Sequence, residues 1–175
     1  MTWDTFHRRG EVLRRIIETA DLRRDGELPW DVDGARVVFS DDIDLLGALQ
    51  LRWHTALAGQ IETALADQPV DLEAAVVGAW RAAVADLPGV RLILDAYRAH
   101  PADAEMERMM SAASAKERQM MALMAGLASR LDLDAHGARR GELLERKARE
   151  GLQFPAAVVP TPRGFLDRLK AALAA

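Results

Sequence analysis

Residues 101–131 read PADAEMERMMSAASAKERQMMALMAGLASRL and hold every methionine of the chain except Met1. Counted in steps of four and three, one side of this stretch carries Met106, Met110, Ala113, Glu117, Met120, Met124, Leu127 and Leu131. That spacing predicts a long helix packed lengthwise against other helices. The single acid on this side, Glu117, needs a partner such as His54 or an arginine if it is buried.

Helical periodicity continues on both sides of this stretch. Apolar residues recur at helical spacing over residues 2–20, 41–66, 71–87 and 90–99, and a further helix, mostly charged and with little apolar face, is expected over residues 134–150. Residues 21–40 contain several glycine and proline breakers and are too irregular for a helix. Within them, RVVF at residues 36–39 is the one short strand candidate, and Ser40 is expected to cap the following helix.

The pattern changes after Gly151. Residues 152–162, LQFPAAVVPTP, contain three prolines and are expected to be extended. Thr161 and Pro162 then begin a last amphipathic helix, whose apolar side holds Phe165, Leu166, Leu169 and Leu173. These side chains need an apolar partner. We therefore expect an arm that docks on the bundle of its own chain or on a second copy, which would give a homodimer.

Length and pattern together predict the fold class. A chain of 175 residues fits one domain that folds without metals or disulfides. We predict an all-α, irregular up-down helical bundle of five to seven helices, with an extended, proline-rich C-terminal arm that ends in an amphipathic helix. The bundle domain is expected at residues 1–151 and the docking arm with its helix at residues 152–175.

Composition narrows the range of functions. The chain has no cysteine, which excludes disulfides and thiolate chemistry. A net charge of −4, with arginine pairs set among acids, argues against a nucleic-acid partner. No apolar run is long enough to cross a membrane. The N-terminus mixes charged and apolar residues, unlike a secretory signal, so a cytoplasmic protein is expected.

Two polar residues are candidates for chemistry. His54 lies on an apolar stripe of the helix over residues 41–66, and it could meet Glu117 if that stripe faces the interior. Such a pair could transfer protons or hold a metal; alternatively, both residues are structural. The four histidines are scattered and no Glu-x-x-His occurs, so we expect no metal site and no cofactor. The aspartates of residues 25–44 are explained by helix capping and loop solubility.

The large apolar residues have more than one interpretation. We predict that Trp53, Leu57, Trp80, Met120 and Met124 form one buried cluster. The methionines could instead line a pocket for an apolar ligand, or Met106, Met109 and Met110 could bind copper. The speculative ligand-binding residues are therefore Trp53, His54, Trp80, Glu117, Met120 and Met124.

The preferred function is a non-catalytic helical interaction or regulatory module, because no complete catalytic constellation is present. Its partner would be another protein or a second copy bound through the C-terminal arm. Two alternatives remain open. One is a small-molecule-sensing bundle with a methionine-lined apolar pocket. The other is a metal-binding or acid–base enzyme centred on His54 and Glu117.

Overall fold

The structure, a computed structural model, describes residues 3–129 and 136–154, and these ranges contain helices but no strand. The all-α bundle predicted from the sequence is therefore confirmed. The helices are α1 (Trp3–Arg23), α2 (Ala35–Val38), α3 (Asp42–Ala66), α4 (Leu72–Asp86), α5 (Pro88–Ala99), α6 (Ala104–Met124) and α7 (Ala138–Arg149). None of these helices is both long and apolar enough to cross a lipid bilayer.

Three pairwise contacts organise the bundle. Helix α3 packs along α4, α6 packs along α7, and α1 packs along α5. Their inner faces share one continuous core, which includes Ile16, Leu49, Trp53, Trp80 and Leu94. Because α4 also contacts α7 and α3 contacts α6, the helices enclose this core from several sides.

Aspartate side chains begin three of the long helices. Asp41 accepts a hydrogen bond from the backbone N–H of Asp44 at 2.8 Å, so the cap of α3 is Asp41 rather than the predicted Ser40. Asp71 and Asp103 cap α4 and α6 in the same way. Each carboxylate satisfies an otherwise unpaired N–H group and lies at the positive end of its helix.

The predicted strand at residues 36–39 is wrong, because Ala35–Val38 forms a helical turn. Gly34, with φ of 83°, starts the turn in the left-handed region. Burial explains the outcome. Ala35 and Phe39 are both buried while Val37 is 79% exposed. A helical turn places residues four apart on one face, whereas a strand would have turned Val37 inward with them.

Helix α6 ends at Met124, several residues before the predicted end at Leu131, which lies outside the described residues. Gly126 has φ of 71°. Its N–H donates to the carbonyl of Leu123 at 3.1 Å, and the N–H of Leu127 donates to Ala122 at 2.9 Å. This is a Schellman motif, which favours glycine for its positive φ. The conformation of Gly126, rather than a close backbone approach, accounts for its presence.

The buried face of α6 differs in phase from the prediction. Met106, Met110, Glu117 and Met121 are buried, whereas Met120 and Met124 are half-buried. A straight helix has 3.6 residues per turn, so a step of four from Glu117 stays closer to the inward face than a step of three. In the predicted cluster, Trp53, Leu57 and Trp80 are fully buried, but Met120 and Met124 lie at its edge.

Two features fix α7 against the bundle. A Cβ atom at Gly141 would overlap the backbone of Arg118, so this glycine permits the close contact between α7 and α6. The guanidinium of Arg81 on α4 donates to the carbonyl oxygens of Lys147, Ala148 and Glu150. It thereby pairs with the unsatisfied carbonyls at the C-terminal end of α7.

Only the start of the predicted arm is described. Leu152 and Phe154 are half-buried and pack against the core. The apolar residues of the predicted C-terminal helix, from Phe165 to Leu173, lie outside the described residues. The division between a bundle domain and a docking arm therefore stays a prediction.

The phase of α6 can be tested by alanine substitution. We expect Met121→Ala to lower the free energy of unfolding by about 2–5 kcal/mol, because a fully enclosed side chain leaves a cavity. The matched substitution Met124→Ala should cost clearly less, since that side chain is only half-buried. Urea unfolding of both variants measures the difference. Equal losses would contradict the observed phase.

Candidate functional site

Glu117 is buried, with 3% of its surface exposed, and it is paired with Arg91, which is 1% exposed. Arg91 Nη1 lies 3.3 Å from Glu117 Oε2. Trp80 Nε1 donates a second hydrogen bond to Glu117 Oε1 at 3.0 Å. The prediction that a buried Glu117 needs a partner is confirmed, and the partner is an arginine.

Arg91 was not identified from the sequence. It lies on α5 between Val90 and Ile93, both of which are buried. A charge within an apolar run was the available signal, since such a residue on an inward face must have a partner.

His54 does not lie beside Glu117. It is half-buried and lines a groove with Met109 and Lys116. Trp53, one residue earlier, occupies the inward face of α3, and consecutive helical residues are turned about 100° apart. In the part of the chain that the structure describes, no hydrogen bond or ion pair joins His54 to Glu117. The geometry therefore gives the proposed His54–Glu117 chemistry no support.

The two core tryptophans pack against guanidinium groups. Their ring centroids are 5.9 Å apart in an edge-to-face arrangement. Arg91 Cζ lies 4.8 Å from the centroid of the Trp53 ring, and Arg149 Cζ lies 4.9 Å from that of Trp80. A desolvated cation over an indole is stabilised by up to roughly 2 kcal/mol. Trp53 and Trp80 thus contact the chain's own arginines rather than an open ligand pocket.

Further ion pairs extend from Arg91 towards the surface. Arg91 Nη2 donates a hydrogen bond to Asp95 at 2.8 Å. Asp95 also accepts hydrogen bonds from both terminal nitrogens of Arg149, each at 2.8 Å. Glu145 accepts from arginines on three helices, at distances of 2.8–3.0 Å. We call the following residues the ionic network: Arg91, Asp95, Arg98, Glu117, Arg118, Glu145 and Arg149.

The network holds Glu145 in its ionised form. Burial alone would raise the pKa of this carboxyl, but the charge of Arg98, a hydrogen bond from Arg118 and the charge of Arg149 outweigh it and lower the pKa to about 2. Burial likewise opposes the charge of Arg149, yet its bonds to Asp95 and Glu145 raise the pKa of that guanidinium. Both groups are charged throughout the physiological pH range.

The network opens to solvent at a small cleft of about 230 Å³. Helix α5 contributes Arg98, α6 contributes Arg118, and α7 contributes the remaining wall. We call this the arginine cleft; its lining residues are Arg98, Arg118, Glu142, Glu145, Arg146 and Arg149.

The opposite side of α6 carries an apolar surface. A groove of about 390 Å³ runs between α3 and α6, past His54, Met109 and Ala113. A second groove of about 480 Å³ runs between α1 and α3, past Leu13. The two share Gly47 and Leu51, so they adjoin each other on either side of α3, and together we call them the apolar groove.

A fourth cavity, of about 540 Å³, is lined by Asp41, Asp42 and Asp103. Its acids already have structural partners: Asp41 and Asp103 cap helices, and Asp42 accepts a hydrogen bond from Trp30 Nε1. Across residues 3–129 and 136–154, no three or more His, Cys, Asp or Glu side chains are grouped to hold a metal ion. Trp53, Trp80, Met120 and Met124 line none of the four cavities described here.

Comparison of the chain with known protein families, curated proteins and solved structures finds no match. The functional interpretation therefore depends on the grooves, charges and burial of this protein alone.

The buried pair of Arg91 and Glu117 can be tested by a double-mutant cycle. Arg91→Met should cost about 3–5 kcal/mol, because it leaves Glu117 buried without its arginine partner, whereas Glu117→Leu should cost less, since Arg91 keeps its 2.8 Å bond to Asp95. The double variant should recover much of that loss, since it removes both charges. Urea unfolding measures all three, with Glu62→Leu on the exposed side of α3 as a control. A double variant as unstable as the sum of the single variants would contradict coupling.

The low pKa of Glu145 predicts an acid-dependent contribution to stability. The pKa falls from 4.5 in the unfolded chain to about 2 in the folded protein. The stabilisation from this group, roughly 3 kcal/mol, is therefore present above about pH 4.5 and is lost as the pH falls towards 2. Glu145→Gln lacks it at every pH. In urea unfolding, the gap between wild type and variant should narrow from pH 7 to pH 3; a constant gap would show that Glu145 is not stabilised as an anion.

Proposed function

We propose that this protein is a non-catalytic interaction module that binds an amphipathic helix in its apolar groove. The observation that carries the proposal is Leu51, which is 67% exposed although it lies at the junction of two grooves on the middle of α3. A large, exposed apolar side chain between two grooves loses its contact with water only when another surface covers it.

The walls of the apolar groove suit a helix. Gly10, Gly47, Ala48, Ala112 and Ala113 line it, so three helices present small side chains where an incoming helix would lie. Helices recognised in this way insert apolar residues at spacings of three and four. Lys116 and the ion pair of Arg9 with Asp44 supply polar groups at the edges.

The proposed occupant is the C-terminal segment of the same chain, residues 162–175. Its sequence places Phe165, Leu166 and Leu169 at helical spacing. No other part of the chain beyond Phe154 combines such a stripe with a helix start. A partner protein with a similar helix would compete with this segment for the groove, which makes the module regulatory.

The position of α7 makes docking within one chain feasible. Arg118 on α6 meets Gly141 and Glu145, while the later residue Leu127 meets the earlier residue Arg140, so α6 and α7 run antiparallel. The end of α7 therefore points towards the half of α6 that lines the groove. The seven residues 155–161 can span at most about 25 Å, whereas a helix is about 10–12 Å wide. That span is about twice the width of one helix.

The absence of native cysteine allows a direct test by disulfide trapping in the full chain. We expect the double variant Leu51→Cys/Leu169→Cys to form an intramolecular disulfide under mild oxidation, detected as a faster-migrating monomer on non-reducing gels. The matched control is Val37→Cys/Leu169→Cys, because Val37 is also exposed and apolar but lies outside the groove.

Two results would overturn the proposal in different ways. Equal trapping at positions 37 and 51 would show that the segment does not select the apolar groove. A disulfide-linked dimer, absent from the single variant Leu51→Cys, would show exchange between copies and would overturn docking within one chain.

A further inference from the structure

We propose that the arginine cleft binds a small, doubly charged oxyanion such as inorganic phosphate or the phosphate group of a small metabolite. This site is separate from the apolar groove and does not depend on the helix-binding proposal. Guanidinium groups from α5, α6 and α7 surround the cleft, whose volume of about 230 Å³ suits a small ligand.

The charges of the lining residues do not cancel. Arg98, Arg118, Arg146 and Arg149 face only Glu142 and Glu145 across the cleft. Asp95 lies behind it, but that carboxylate is shared with the buried Arg91. Counting the ionic network together with Glu142 and Arg146 gives five arginines and four carboxylates, an excess of one positive charge.

Hydrogen-bond donors remain for a ligand. Arg118 uses Nε for Glu145, at 2.9 Å, and its Nη2 lies 3.7 Å from Glu142, beyond hydrogen-bond distance. Arg146 is exposed, and within the described residues it takes part in no ion pair or side-chain hydrogen bond. Because a guanidinium carries five N–H donors in a planar fork, these two residues can present several to one oxyanion.

Three of the four arginines in the cleft are held in place before a ligand arrives. Glu145, with 5% of its side chain exposed, accepts hydrogen bonds from Arg98, Arg118 and Arg149 and fixes all three guanidinium groups. A ligand therefore loses little affinity to ordering these side chains. The planar guanidinium fork also matches the geometry of a phosphate group better than a lysine ammonium does.

Glu142 acts as the competitor that an anion must displace. Its side chain is 56% exposed, and its contact with Arg118 is the longest ion pair in the cleft. Removing the Glu142 charge should therefore strengthen anion binding, whereas removing the Arg146 charge should weaken it. A purely structural cluster would not predict these opposite effects.

Titration of the full chain with inorganic phosphate tests the site. Isothermal titration calorimetry at pH 7.5 and constant ionic strength, balanced with chloride, measures the dissociation constant. We expect saturable binding that weakens roughly tenfold in Arg146→Gln and tightens several-fold in Glu142→Gln. The control is Arg139→Gln, an exposed arginine of the same helix outside the cleft, which should bind as wild type does.

Circular dichroism first confirms that the three variants fold, which is expected because all three residues are exposed. Phosphate binding that is not saturable, or that falls equally in Arg146→Gln and Arg139→Gln, would overturn the proposal. So would an unchanged dissociation constant in Glu142→Gln. Sulfate and phosphoserine, titrated in the same way, then separate recognition of a free oxyanion from recognition of an esterified phosphate.

Discussion

The ion pair between Arg91 and Glu117 constrains the rest of the bundle. Both side chains are almost fully buried, and Glu117 depends on Arg91 to compensate its charge, while Arg91 also bonds to Asp95. The pair therefore fixes the register of α5 against α6. Trp80 donates to the same carboxylate, which ties α4 to them, and Trp53 stacks on the guanidinium from α3. Two buried donors, Arg91 Nε and Trp53 Nε1, have no acceptor in the described part of the chain, so this specificity has a cost in stability.

Helix α7 is also held in the bundle by ion pairs, and these lie nearer the surface. Its buried residues are Gly141, Leu144, Glu145 and Ala148, which offer little apolar area. Polar contacts therefore provide much of its attachment: Glu145 and Arg149 form ion pairs with α5 and α6, and Arg81 donates hydrogen bonds to the final carbonyls of α7. The docking of α7 therefore depends on ionisation more than the packing of α3 against α4 does.

Periodicity was sufficient to predict most of the long helices and most of the core, but not α2, because apolar spacing reports which face is turned inward only over several turns. The predicted inward face of α6 was wrong by one residue, because it placed Met120 inward and the structure buries Met121. A count in heptads and the true helical repeat diverge at this point. The need of Glu117 for a partner was also predictable. That its partner is Arg91 and not His54 was not predictable, since both residues fit the pattern and only the packing of α5 places Arg91 beside Glu117. Arg98, Arg118 and Arg149 resemble solvated surface residues in sequence, and their convergence requires three helices to be assembled.

The bundle reverses the usual placement of residues on the two sides of α6. Towards α5 and α7 it buries arginines and glutamates; towards α1 and α3 it leaves Leu51 exposed in an apolar groove. Apolar residues across the ionic network, or a polar residue at Leu51, would be simpler ways to stabilise a monomeric bundle. Natural sequences depart from consistent local rules chiefly at functional sites. Helix α6 borders both departures, because its Glu117 and Arg118 belong to the ionic network while its Met109 and Ala113 line the groove beside Leu51 of α3.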